Sequence, residues 1–267
     1  MKIYTKEELI KRLKEIRDMG WVKCTRPAND GCVGNTLEDL LGIAENNIPL
    51  ANSGEWEIKA QRATSSSLTT LLHLEPSPQA IRFVPNIFLS KYGWPHETIP
   101  NELSFRQTIR ATHRTDRGFT IIVNDEKKRI EVSFDANTVD ARHNEWLKSV
   151  EKRAGLGELN PQPYWGFDDL YHKIGSKLLN CVYVRADALK GDPLAQTRID
   201  GRSSKVEYYK FNKIFMLSGL DQEKIISAIK NGKIYVDFDA RTHHNHGTKF
   251  RMAQDTLPEL YKDIIII

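Results

Sequence analysis

A mixed α/β fold is what this sequence predicts, and three observations predict it. Apolar residues recur at helical spacing in several stretches, as with Leu9, Leu13 and Ile16. Elsewhere they alternate as in a strand, with Trp56 and Ile58 on one face and Glu55, Glu57 and Lys59 on the other. The two patterns interleave along the chain, which points to an α/β or α+β arrangement rather than a pure class. At 267 residues the chain can bury a substantial core, as one large domain or as two lobes.

Taken in order, Thr5 and Glu8 form a capping box that opens a first helix, and Gly20 offers its stop. A turn from Asn29 to Gly34 leads into a short second helix, where Leu37, Leu40 and Leu41 share a buried side and Gly42 ends the element. The strand from Glu55 to Ala60 follows, with charge exposed on one face. Phe119 to Val123 and Arg129 to Phe134 read as a hairpin joined by a polar loop. Two prolines, two glycines and two aromatics between Leu156 and Phe167 predict a loop or lobe crossing. A helix from Phe167 to Leu179, strands at Cys181–Val184 and Tyr208–Leu217, a capped helix from Asp221 to Asn231 and a strand through Ile234, Val236 and Phe238 complete the series. That last strand runs into a donor-rich loop, Asp239 to Arg251.

Composition bounds the function classes. Hydrophobic residues at 40% and charged residues at 28% fit a globular protein and not a disordered one. The formal charge of +4 permits a polyanionic partner without demanding one. Cys24, Cys32 and Cys181 form no CxxC pair, which argues against a disulfide framework or a cysteine zinc site and fits a reducing cytoplasm. The apolar runs are too short for a signal peptide or a membrane anchor. No dinucleotide fingerprint, P-loop or Gly-x-Ser-x-Gly elbow points to other enzyme chemistry.

The chemistry sits in Glu57-Ile58-Lys59, where a carboxylate and an ammonium two residues apart on a strand project from one face. Such a carboxylate can hold a divalent cation, and the lysine can orient a water or stabilise developing negative charge. Alone, the triplet is more often a solvated, salt-bridged face. Its surroundings change that reading. The stretch from Gly31 to Ile43 carries a glycine turn, Thr36-Leu37-Glu38 and Leu41-Gly42-Ile43, and Glu45-Asn46-Asn47 and Gly54 to Lys59 follow it. In that order these resemble the catalytic region of the MvaI/BcnI restriction endonucleases, and look like the related mismatch-repair nickase MutH. Weaker resemblance continues at Asp116-Arg117-Gly118-Phe119 through Phe134, and at Asp239 to Arg251.

The resemblance implies a restriction-endonuclease-like, MutH-like mixed sheet core flanked by helices, with two lobes around a DNA cleft. Residues 1–95 would form the catalytic lobe. Residues 96–267 would mainly form the recognition lobe, with some elements returning to the core sheet. It implies Mg2+-dependent cleavage of double-stranded DNA at a short, G·C-rich site. Ca2+ would support binding without cleavage, and the partner would be a cognate DNA methyltransferase. A monomer with one active site would nick the strands in turn. The family's roles fall on Glu38, Asn52, Glu57 and Lys59, with Asn52 and Glu57 as metal ligands. Asn52 departs from the pattern, because the family has Asp there. A neutral amide is a poorer ligand, so the chain reads as a catalytically impaired form, by a deliberate substitution or a natural change.

For DNA reading the terminal segment supplies Arg241, His243, His244, His246, Lys249 and Arg251, the donor types that address base edges and phosphates. A histidine metal site and a merely solvated loop are its plainer readings. Arg114 and Arg117, within the stretch Arg106, Arg110, His113, Arg114 and Arg117, are candidates for phosphate contacts, or else a solvated face. The rival functions are a MutH-like methylation-sensing nickase and a non-cleaving, nuclease-derived DNA-binding module.

Overall fold

The computed structural model describes residues 4–26, 31–43, 55–65, 68–191 and 206–267. In chain order they form α1 (Lys6–Asp18), β1 (Trp21–Lys23), α2 (Cys32–Leu41), β2 (Glu57–Arg62) and β3 (Leu68–His73). A π-helical turn at Val84–Leu89 runs into α3 (Ser90–Tyr92), followed by β4 (Trp94–Pro95), β5 (Leu103–Ile109), β6 (Phe119–Asn124) and β7 (Arg129–Phe134). Then come α4 (Asn144–Ala154), β8 (Tyr164–Gly166), α5 (Phe167–Leu178), β9 (Cys181–Lys190) and β10 (Glu207–Leu220). The series closes with α6 (Gln222–Lys230), β11 (Ile234–Arg241), β12 (His244–Ala253) and β13 (Tyr261–Ile266). These elements fall into two compact units. One comprises Met1–Ser67, Ile174–Asp221 and Leu257–Ile267, and the other Leu68–Lys173 and Gln222–Thr256.

The first unit is built on a mixed sheet in the order β1-β10-β9-β2, with β13 also paired to β10. β2 and β9 run parallel, Glu57 beside Cys181 through Arg62 beside Ala186, and β9 and β10 run antiparallel. A parallel pair cannot be closed by a tight turn. Here the connection is the longer segment of the second unit, threaded between β2 and β9.

Leu9, Leu13 and Ile16 of α1 and Val33, Leu37 and Leu41 of α2 pack with Trp56, Ile58, Val182, Val184 and Met216 into one core. Each fully buried leucine contributes about 1.5–3 kcal/mol. α1 starts where Thr5 accepts from the Glu8 amide and Glu8 bonds back to the Thr5 amide. α2 stops at Gly42, whose φ of 68° lets its own amide and that of Ile43 return to the last carbonyls of the helix. Cys24 and Cys32 are joined by a disulfide within this core, contrary to the expectation from their spacing. The packing of the two segments brings the sulfurs together, which a motif count does not register. Cys181 is free and buried.

The second unit contains a five-stranded sheet in the order β3-β12-β11-β5-β4 and a three-stranded sheet β6-β7-β8. The expected hairpin is present as β6 and β7, paired from Phe119–Phe134 to Asn124–Arg129. Its core is aromatic, with Phe88 stacked on Phe105 at 4.9 Å and edge-on to Phe238 at 4.9 Å.

Two expectations change. The predicted 156–167 loop ends in a strand, β8, which pairs Tyr164–Gly166 with Arg129–Glu131 and buries Trp165 against Phe250. The segment Asp239–Arg251 is a hairpin and not a loop. β11 and β12 pair from Ile234–Met252 to Arg241–His244, leaving Thr242 and His243 as the turn. His243 takes the positive φ of 61° usually signalled by Gly or Asn. Among the described residues no helix is long and apolar enough to cross a membrane.

Candidate active site

Alternation along β2 separates two kinds of chemistry. Trp56 and Ile58 enter the core beneath α1 and α2. Glu57, Lys59 and Gln61 take the opposite side, beside Cys181, Tyr183 and Arg185 of β9 in parallel register. The Glu57 amide donates to the Asn180 carbonyl at 3.0 Å, fixing the start of the strand. Gln61 donates through its side-chain amide to the Tyr183 hydroxyl.

The charge on this strand is not exposed as expected, because Glu57 is only 1% exposed. Lys59 Nζ lies 2.9 Å from Glu57 Oε1, and Lys177 Nζ, from the last turn of α5, lies 3.5 Å from the same oxygen. The other carboxylate oxygen, Oε2, is buried with no hydrogen-bond partner among the described residues. Burying a carboxylate is costly unless cations or donors compensate it. Two ammonium groups do so on one side only. Nearby, the Tyr261 hydroxyl donates to the Leu178 carbonyl at 2.6 Å. Burial pushes the Cys181 thiol well above its ordinary range, with Lys59 acting against that and Glu57 adding to it. Cys181 is therefore a packing residue and not a nucleophile.

The donor chemistry fits a hard cation. Oε2 of Glu57 is an oxygen of the type Mg2+ prefers, left without a donor, and Mg2+ commonly completes its shell with waters and substrate phosphate around one or two carboxylates. Among the described residues no group of three or more His, Cys, Asp or Glu could hold a metal, so a cation here would depend on such additional ligands. Asn52 lies outside the described residues, as does Glu45-Asn46-Asn47. Glu38 sits half-buried on α2, its backbone carbonyl accepting from the Ile43 amide.

A second constellation lies on the five-stranded sheet. Val236, Phe238 and Ala240 of β11 are buried, and Asp237, Asp239 and Arg241 take the other face. On that face Arg241 pairs with Glu102 at 2.6 Å, and Arg106 and Lys249 share Asp239 at 2.9 and 3.3 Å. Arg251 pairs with Asp237 at 3.0 Å. His243, His244 and His246 are exposed at the hairpin tip, with the rings of His244 and His246 4.3 Å apart. The structure thus brings six of the eight predicted DNA contacts onto one hairpin, three of them, Arg241, Lys249 and Arg251, paired with acids.

The other two lie in the β5–β6 connection and brace it. Arg114 donates to the Gly118 carbonyl at 2.9 Å and to the Ser133 hydroxyl at 3.2 Å. The Arg117 guanidinium lies 4.0 Å over the Trp94 ring, and burial lowers its pKa.

Sequence reasoning missed Lys177 as a neighbour of Glu57. No local signal marks it, since only the β2–β9 pairing and the helix leading into β9 bring it there. It also missed the acids Asp237, Asp239 and Glu102, which alternation along β11 and cross-strand neighbours could have suggested.

Comparison with known proteins agrees with this architecture. A solved complex of restriction endonuclease MvaI with its cognate DNA substrate is similar at 21% identity and a TM-score of 0.67, covering 98% of this chain and 99% of that one. MvaI in the absence of DNA is similar at 20% identity and a TM-score of 0.60, over 100% of both chains. At that identity the likeness speaks for the fold. No curated protein matches the chain. The model of the MvaI/BcnI restriction endonuclease family matches residues 10–261, and the chain therefore belongs to that family.

Proposed function

We propose that this protein is a site-specific double-stranded DNA endonuclease that hydrolyses phosphodiesters at Glu57 and Lys59 with Mg2+ as cofactor. Family membership supports a nuclease, and the similar MvaI structure is a DNA complex. The observation that carries the assignment is Glu57 itself, a buried carboxylate with one oxygen held by lysines and the other without a partner among the described residues. When bound, a divalent cation supplies Lewis acidity and lowers the pKa of a coordinated water. Glu57 contributes an oxygen to that cation. Lys59, anchored on Glu57 Oε1, directs an ammonium at the negative charge developing on the scissile phosphate. Glu38 assists the centre from α2.

Asn52 occupies the position of the family's metal-binding Asp and leaves the centre one negative charge short, so this form is catalytically impaired. The second unit reads DNA through Arg241, His243, His244, His246, Lys249 and Arg251, with Arg114 and Arg117 bracing the β6–β7 hairpin and adding positive charge. The protein acts as a monomer on a short G·C-rich site, and a cognate methyltransferase protects the host.

The test compares the chain with its Asn52→Asp variant on unmethylated phage DNA in Mg2+, while binding is followed in Ca2+. Discrete fragments from the variant alone are expected. Equal cleavage by both would remove the impairment. Asn52 also favours a second reading, a DNA-binding module without cleavage, and binding without cleavage by either chain would select it.

A further inference from the structure

The site at Glu57 holds one cation more than the hydrolytic scheme uses. Lys59 is within hydrogen-bonding distance of Oε1, whereas Lys177 stands off at 3.5 Å, an ion pair without a tight bond. A lysine in the last turn of a helix is ordinarily explained by the helix dipole. That accounts for its presence on α5 but not for its turning toward a carboxylate that is 1% exposed. Among the described residues, two ammonium groups face the Glu57 carboxylate and oppose a cation entering there. The Lys177 side chain is 35% exposed and has solvent to retreat into, while Lys59 at 25% is the more enclosed.

We propose that Lys177 is a charge gate on the metal site. It occupies Glu57 in the metal-free protein and opposes cation entry until the phosphates of bound DNA add negative charge. Lys177 acts through Glu57, as a positioning residue, and couples metal loading to substrate. The proposal rests on the assignment of the metal to Glu57.

The test is titration with Tb3+ without DNA, read by luminescence sensitised through tryptophan, with Trp56 adjacent to Glu57 in the chain. Lys177→Met should bind Tb3+ about 3–10-fold more tightly than the parent, as expected for removing one like charge from a partly solvated site. Lys177→Arg, which keeps the charge, should restore the parent affinity. A saturating short duplex should narrow the gap between Lys177→Met and the parent.

Glu57→Gln separates the two possible failures. If it abolishes binding while Lys177→Met and the parent bind alike, the gate is overturned and the metal site stands. If Glu57→Gln binds as the parent does, the metal is elsewhere and both ideas fall. Should Lys177→Met not melt as a folded protein, Lys177→Gln is read by the same criteria.

Discussion

Arg62 and Glu207, 145 residues apart in the sequence, meet at 2.6 Å on the first unit's sheet, and the Tyr209 hydroxyl donates to the same carboxylate oxygen at 2.5 Å. Burial raises the Glu207 pKa, but the hydrogen bonds from Tyr209 and Arg62 outweigh it and hold the group below its ordinary value. The same burial, with Glu207 as acceptor, pushes Tyr209 up to about 12.

This triad makes stability depend on pH at both ends. A depressed carboxylate contributes stability that is complete above its unfolded pKa and is lost as pH falls through the folded value. A raised phenol contributes stability that is complete below its ordinary value of 10 and is lost as pH climbs toward about 12. Glu207→Gln should cost about 1.5–3 kcal/mol near neutrality, the usual range for a hydrogen bond to a charged group, and should flatten the acid limb. Thermal melts of parent and variant across pH measure both effects, and an unchanged acid limb would count against the triad.

Replacing the carboxylate of Glu57 should separate catalysis from folding. In the Asn52→Asp background, Glu57→Gln should lower the cleavage rate by roughly 10²–10³-fold or more, as expected when a group stabilising the transition state is removed. The fold should persist, because an amide has a smaller burial cost than the carboxylate it replaces. Single-turnover nicking paired with a thermal melt checks this, and a folded, active variant would move the active site elsewhere.

On the charged sheet face, Arg241 and Lys249 should behave differently. Arg241→Ala should cost about 1–3 kcal/mol of binding to the cognate site and relax specificity, as for an arginine reading a base edge. Lys249→Ala should weaken cognate and random duplexes alike and reduce the salt slope by about one, as for a phosphate contact. Fluorescence anisotropy in Ca2+ at several salt concentrations tells these apart. Equal losses on both duplexes for Arg241→Ala would make it a phosphate contact.

The aromatic core of the second unit gives a stability test with no chemistry in it. Phe238 is 1% exposed and packs on Phe88 and Phe105, so Phe238→Ala should destabilise by about 3–5 kcal/mol. Denaturant unfolding measures the loss, and a cost under about 1 kcal/mol would mean the cluster relaxes to fill the gap.

Local signals made much of this molecule legible. Thr5 and Glu8 specify a helix start and Gly42 a helix stop within a few residues of chain, and the structure forms both. Glu57 and Lys59 share a face by strand periodicity alone. Features set by distant partners were harder to read. The burial of Glu57 depends on β9, α5 and Tyr261, none of them near in sequence, so an exposed charged face was the natural reading. The β11–β12 hairpin hid for another reason. Its outward positions are charged and its turn residue is His243, while Thr248, Phe250 and Met252, which reveal the strand, alternate with cations. The Cys24–Cys32 bond follows from packing and not from a motif.

The parallel pairing of β2 with β9 also sets when Glu57 can be held in place. Gln61 and Tyr183 are 122 residues apart, and everything between them must be synthesised before β2 gains the neighbour that fixes Glu57 in place. Contacts so remote in sequence form late, since the ends of the intervening chain must first be brought together. A ribosome paused anywhere in that interval holds a carboxylate and a lysine with no sheet to organise them. The architecture thus leaves Glu57 and Lys59 unorganised until the chain has been made through β9.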